Sequence, residues 1–190
     1  ALAGTVDGPL LLTTPASLPA GVKAEIVRLG ATKAYVLGGP VAVSEGVEAE
    51  LGDLLGAENV VRLEGEDRYG TAREVADEVI ALLGSDYSGT ALVATGGNFP
   101  DALAGSPLAA AKGWPILLAH PLSDALYVPA ETTATIIMGG ASAVSEEVED
   151  ALEASLGDGV VERVGGENRY ETAALIAERG TAASLVWDGV

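Results

Sequence analysis

VLGGPVAVSEGVEAEL at residues 36–51 and IMGGASAVSEEVEDAL at residues 137–152 are the same sentence written twice. A shift of 101 positions lays Gly38 over Gly139 and runs without a gap to Ala76 over Ala177, with about half of residues 38–77 identical. Each copy opens in a short β-type apolar run, breaks at paired glycines, and resumes with apolar residues at helical spacing. Val47, Leu51 and Leu55 recur at i, i+4 and i+8, and Val148, Leu152 and Leu156 repeat them. That pattern predicts strand, tight turn and amphipathic helix. A second matched block comes next, RLEGEDRYGTA at 62–72 and RVGGENRYETA at 163–173, and Ala1-Leu2-Ala3-Gly4 matches Ala102-Leu103-Ala104-Gly105. The period is too long for a solenoid and marks a duplicated supersecondary unit. Duplication favours a binding or scaffold role, because catalysis usually needs one asymmetric constellation.

Outward from these blocks, apolar runs stand at Leu10–Leu12, Tyr35–Leu37, Val60–Leu63, Ala91–Ala94, Ile116–Leu118, Ile136–Met138, Val160–Val164 and Leu185–Trp187. Most lack polar alternation, as strands buried on both faces do. Helical patterns separate them, including Tyr69, Ala72, Ala76 and Val79 on one face. The fold class is therefore α/β, built from tandem βα repeats with mainly parallel sheets. The first repeat covers 1–97 and the second 98–190, each cut mid-repeat, with the boundary near the loop Gly96–Pro100 and no linker to keep the copies from packing together. Ser44 and Ser145 are the expected N-caps of one helix pair, with Glu45 and Glu146 in the first turn, and Asp67 and Asn168 begin the other pair. Glu171, three residues after Asn168, suggests a capping box. Ser123–Thr133, interrupted by Pro129, reads as a short helix or a loop.

Of the 190 residues, 48% are hydrophobic but only 4% aromatic, so the core must be built from Ala, Val, Leu and Ile. At roughly 25 cal/mol per Å2 that suffices for a chain of this length. No apolar run approaches the roughly 18 residues of a membrane span. Ten basic residues against 28 acidic ones give a net charge of −18. Nucleic acid is excluded as a default partner, since its binders need a basic face. The acidity reads as a solubilising surface suited to high salt or divalent cations. Cysteine is absent and His120 is the only histidine. Thiolate and histidine-based metal sites are thus ruled out, no ordered Ca2+ loop is readable, and neither H-E-x-x-H nor G-x-S-x-G occurs. The expectation is no enzyme, no cofactor and no metal. The opening ALAGTVDG has no leader pattern, and a leader cleaved ahead of Ala1 stays open.

Three constellations are candidate sites. Gly38-Gly39 and Gly139-Gly140 follow strands and precede helices, at the sheet edge where parallel folds bind ligands, and an anion could rest on the next helix N-terminus. They serve equally as tight strand-to-helix turns. Neither copy gives G-x-G-x-x-G or a P-loop lysine. Arg68-Tyr69 and Arg169-Tyr170 each set a fork of donors beside an aromatic platform, suited to a phosphate, carboxylate or sugar ring. The alternative is that each Arg pairs with a neighbouring carboxylate while each Tyr packs between helices. The loop Thr95–Asp101 offers Asn98 and Asp101 as a polar lip on the same edge, unless Asp101 is only the N-cap of the Ala-rich helix after it.

DRYGTA and NRYETA, the Gly-Gly turns leading to Val-Ser, NFPDALAGSPLAA and WPILLA together resemble the cell wall binding repeat 2 family over nearly the whole chain. Gly65–Ala72, Asp101–Leu103, Pro115–Leu118 and Gly38–Val47 fill the family's motif places in order. The resemblance implies Rossmann-like units in a secreted, non-catalytic module at the cell surface or cell wall, holding an anionic cell-wall polymer. It also implies a three-repeat, trimer-like arrangement, from which this chain departs with about two repeats and with Asn168 where the motif has Asp. The other reading is a self-assembling extracellular structural subunit of a surface layer or filament. The ends support it, because Ser184–Val190 resembles Ala91–Gly97, while Ala1–Gly4 resembles Ala102–Gly105 just beyond that loop. The ends therefore lead to an expectation of self-association, as a ring or head to tail, with the alternative that the sequence is a piece cut from a longer array of repeats.

Overall fold

The computed structural model describes residues 1–182. The run Leu185–Trp187 and the segment Ser184–Val190 lie outside the described residues. The elements are α1 (Leu2–Thr5), α2 (Ala20–Leu29), β1 (Ala34–Leu37), α3 (Glu45–Leu55), β2 (Val60–Leu63), α4 (Arg68–Leu83), β3 (Thr90–Thr95), α5 (Pro100–Lys112), β4 (Ile116–Ala119), β5 (Ala134–Met138), α6 (Glu146–Leu156), β6 (Val161–Val164) and α7 (Arg169–Ala182). The chain forms two compact units, one of residues 9–74 and one of residues 1–8 with those from 75 onward. These breaks in space fall elsewhere than the repeat boundary drawn at 97/98.

In the first unit β1 and β2 form a two-stranded parallel sheet, with Ala34 opposite Val60 and Leu37 opposite Leu63. Val36 packs with Val47 and Leu51 of α3, Ile26 of α2 and Leu18. The second unit holds a four-stranded, all-parallel sheet in the order β4-β3-β5-β6. Successive residues of β3 feed opposite faces, as the period of two requires. Ala91 and Val93 meet Val148 and Leu152 of α6 and Ala76 of α4, whereas Leu92 and Ala94 meet Leu108 and Ala109 of α5 and Ile176 of α7. Helices thus cover both faces, which is why the strand runs carry no polar alternation. The α/β reading with parallel sheets holds.

The matched sequence blocks become matched elements: α3 and α6, β2 and β6, and the starts of α4 and α7 fall at equivalent positions. Gly38 and Gly139 turn the chain out of β1 and β5 at φ of 106° and 115°, a region closed to most side chains. α1 packs on α5, and Gly4 makes this possible, since a Cβ there would collide with the Ala110 carbonyl oxygen.

Several expectations need correction. Leu10–Leu12 is not a strand. Pro115-Ile116-Leu117-Leu118, which matches Pro9-Leu10-Leu11-Leu12 in sequence, contains most of β4, which pairs with β3, whereas among the described residues no strand lies beside Leu10–Leu12, and Leu10 and Leu12 are 71% and 81% exposed. A strand without a ladder leaves its backbone groups to water. Of its two readings Ser123–Thr133 takes the loop, held by the Tyr127 hydroxyl donating to Asp77 at 2.6 Å. Ser44 caps α3 by accepting from the Val47 N–H, but Ser145 makes no such bond to α6. There Glu147, standing where the first copy has Gly46, is held below the usual carboxylate range by its own backbone N–H and the Ser145 hydroxyl. Asp67 and Asn168 do cap α4 and α7, each Oδ1 accepting two backbone N–H bonds. Glu171 reaches back past the Asn168 cap to the Glu167 N–H, one residue beyond the partner of a true capping box. No helix among the described residues is long and apolar enough to cross a membrane.

Candidate functional site

Because all four strands of the second unit run parallel, the turns leaving β3, β5 and β6 open on one edge. They enclose a cleft of about 360 Å3 whose lining includes Asn98, Asp101, Gly140, Asn168 and Arg169. Residues from all three sequence constellations therefore meet there. Gly139 lies directly behind the cleft, and a Cβ on it would come 2.8 Å from Asp101 Oδ2.

Each wall has a local cause. Thr95 Oγ1 accepts the Gly97 N–H at 3.1 Å and Asn98 Oδ1 accepts the Phe99 N–H at 2.9 Å, which folds the loop before α5. Pro100 occupies the first position of that helix, where its missing N–H costs nothing. This corrects the N-cap reading of Asp101: it lies inside the first turn, with Phe99 at the cap, and its side chain goes into the cleft wall rather than back to the backbone. The third wall is set by Gly166, whose N–H donates to Thr172 Oγ1 at 3.0 Å, as Gly65 donates to Thr71 Oγ1 at 3.2 Å in the other copy.

Charge in the cleft is mixed. Arg169 is exposed and has no hydrogen bond or ion pair with the described residues. Asp101 is only 8% exposed, and burial raises its carboxyl above the usual range, partly offset by the Arg169 charge. Glu167 adds a second carboxylate at the rim. Among the described residues no group of three His, Cys, Asp or Glu side chains could hold a metal ion.

The remaining predicted residues sit elsewhere. Tyr170 is 81% exposed and does not line the cleft. Arg68, Tyr69, Gly38 and Gly39 belong to the first unit, with Arg68 exposed and Tyr69 half-buried. Arg163 and Arg62, hidden in the sequence within apolar runs, hold the turns in place. From β6, Arg163 binds Glu149 of α6 at 2.8 Å and donates to the carbonyls of Gly139, Val144 and Ser145, fixing the turn that forms the cleft wall. From β2, Arg62 binds Glu48 at 2.7 Å and the Gly38 carbonyl at 2.6 Å. The available signal was an arginine inside an apolar run in both copies, each with a matched glutamate one element earlier.

Residues 62–149 match the family described as cell wall binding domain 2 (CWB2). The chain is 33% identical to the amidase enhancer of Bacillus subtilis (strain 168) over 94% of its own length and 23% of that protein. It is also 33% identical to the N-acetylmuramoyl-L-alanine amidase LytC of the same organism, over 66% of this chain and 25% of LytC. Among solved structures, Cwp8 from Clostridium difficile superposes with a TM-score of 0.77 at 34% identity, covering 94% of this chain and 30% of Cwp8. Cwp6 from the same organism gives 0.80 at 26% identity, over 93% and 28%. The chain thus spans about a quarter of its curated relatives.

Proposed function

We propose that this chain, a member of the cell wall binding domain 2 family through residues 62–149, is a non-catalytic module that holds a protein on the cell wall by gripping an anionic wall polymer. The observation that carries the reading is Arg169: an exposed guanidinium that makes no hydrogen bond or contact ion pair with the described residues, at the edge of a cleft lined by turns. A guanidinium fork suits a polymer phosphate or carboxylate, and each charge-assisted bond is worth roughly 1.5–3 kcal/mol. The net charge of −18 does not forbid this, because repulsion from charges beyond about 8 Å is screened at physiological salt while the arginine acts at contact. The module works outside the cell, at the wall.

Replacing Arg169 and its counterpart Arg68 with Ala is expected to weaken retention on purified cell walls at least tenfold with an unchanged far-UV spectrum. Full retention by the folded double variant overturns the site. Loss of folding assigns the arginines to packing instead.

A further inference from the structure

Asp101 is the least expected group in the cleft. A carboxylate in the first turn of α5 is favoured by the helix dipole, and an exposed position would give that benefit without cost. Instead the side chain is 8% exposed, accepts no hydrogen bond from the described residues, and occupies the space that Gly139 leaves by lacking a Cβ. Its carboxylate is desolvated by the surrounding protein yet opens onto the cleft with no donor from the described residues, and such a group is retained where something else supplies donors.

We propose that Asp101 is a specificity residue that accepts hydroxyl hydrogens from a sugar unit in the cleft, so that the site takes a hydroxylated anionic glycan rather than an anionic polymer in general. This rests on the wall-polymer reading and deepens it. Arg169 takes the acid group, while Asp101 takes donors from the same or the adjoining unit. A polymer that offers only ionised phosphate or carboxylate oxygens has no hydrogen to give Asp101, and its charge is repelled by it. Attraction by Arg169 and exclusion by Asp101 together make the discrimination.

The test uses the whole chain, purified walls, and two competitors matched for charge, all in the presence of a chelator. Polygalacturonate carries acid and free hydroxyls; polyphosphate carries charge and no hydroxyls along its length. Polygalacturonate is expected to displace the wild type from walls at a concentration at least tenfold lower than polyphosphate. Asp101→Asn is expected to lose at least tenfold in wall retention, to bind the two competitors alike, and to melt at a higher temperature than the wild type. The rise in melting temperature separates a ligand-reading role from a structural one. Ionised Asp101 is a stability cost at neutral pH that disappears once it is protonated, so the gap between variant and wild type closes as pH falls toward the ordinary carboxyl value of 3.8. The other charged groups in the cleft are Glu167 and, from α7, Arg169; α1, β3 and β5, which also pack against α5, carry no titratable side chain. Equal displacement of the wild type by the two competitors overturns the proposal, as does an Asp101→Asn chain that binds like the wild type or is less stable. Binding that vanishes only with chelator assigns Asp101 to a bridging cation and also overturns it. A wild type that walls fail to retain even without chelator is a failure of the wall-polymer reading itself.

Discussion

Arg62 and Arg163 are the residues on which the turn geometry depends. Each lies in a strand with its guanidinium mostly covered, the side chains 11% and 19% exposed, and each satisfies a carbonyl at a glycine turn together with a glutamate from the preceding helix. Truncating such a group leaves a partly buried carboxylate and open carbonyls behind. Arg163→Ala is therefore expected to cost about 2 kcal/mol, read from the midpoint of urea unfolding. Arg163→Lys should recover little of it, since one ammonium cannot reach Glu149 and three carbonyls in different directions. The same argument explains why this role was hard to read in the sequence. An arginine in an apolar run looks like an edge or an interruption until the carbonyls around it are known.

Among the elements, strands were legible wherever a ladder partner existed. Val60–Leu63 and Ile136–Met138 are strands because parallel neighbours take up their backbone groups, whereas Leu10–Leu12 has the same apolar character and no ladder. Local composition says that a segment can be a strand; pairing decides whether it is one. The cleft was legible in part for a similar reason. Asn98, Asp101, Gly140 and Arg169 each sat at a turn after a strand or at a helix start, so the parallel topology gathers them on one edge. Tyr170, one residue from Arg169, points elsewhere because neighbours on a helix face directions about 100° apart. α1 shows how little sequence an element needs when a helix face receives it. Its four residues dock on α5 through Gly4, burying Leu2. Gly4→Val is expected to undock it at a cost of about 2 kcal/mol, the value of the buried leucine. Hydrogen exchange would show it first at the N–H groups of Thr5, Val6 and Gly8, which bond to the carbonyls of Ala1, Leu2 and Ala3.

For the whole molecule, the dominant fact is charge. With 28 acidic residues against 10 basic ones, most carboxylates have no cation to face, and the ion pairs that do form are largely at the surface. Self-repulsion of this kind is relieved by screening. The melting temperature is expected to rise by several degrees between about 10 mM and 1 M sodium chloride, where the Debye length falls from about 30 to 3 Å. A flat profile would mean that the acidic groups are too dispersed to repel. The register of the sheets carries a further consequence, one of time. Thr90 meets Ala134 and Thr135 meets Val161, so each of these pairings waits for a helix or loop between its strands to be spanned before any ladder bond forms. Chains built on such distant pairings fold slowly, in milliseconds to seconds, and have no hairpin to start from. On the proposed reading of a module that works at the wall, the chain must stay threadable until it has crossed the membrane, and a sheet that cannot begin to form until long stretches of chain are free is well matched to that delay.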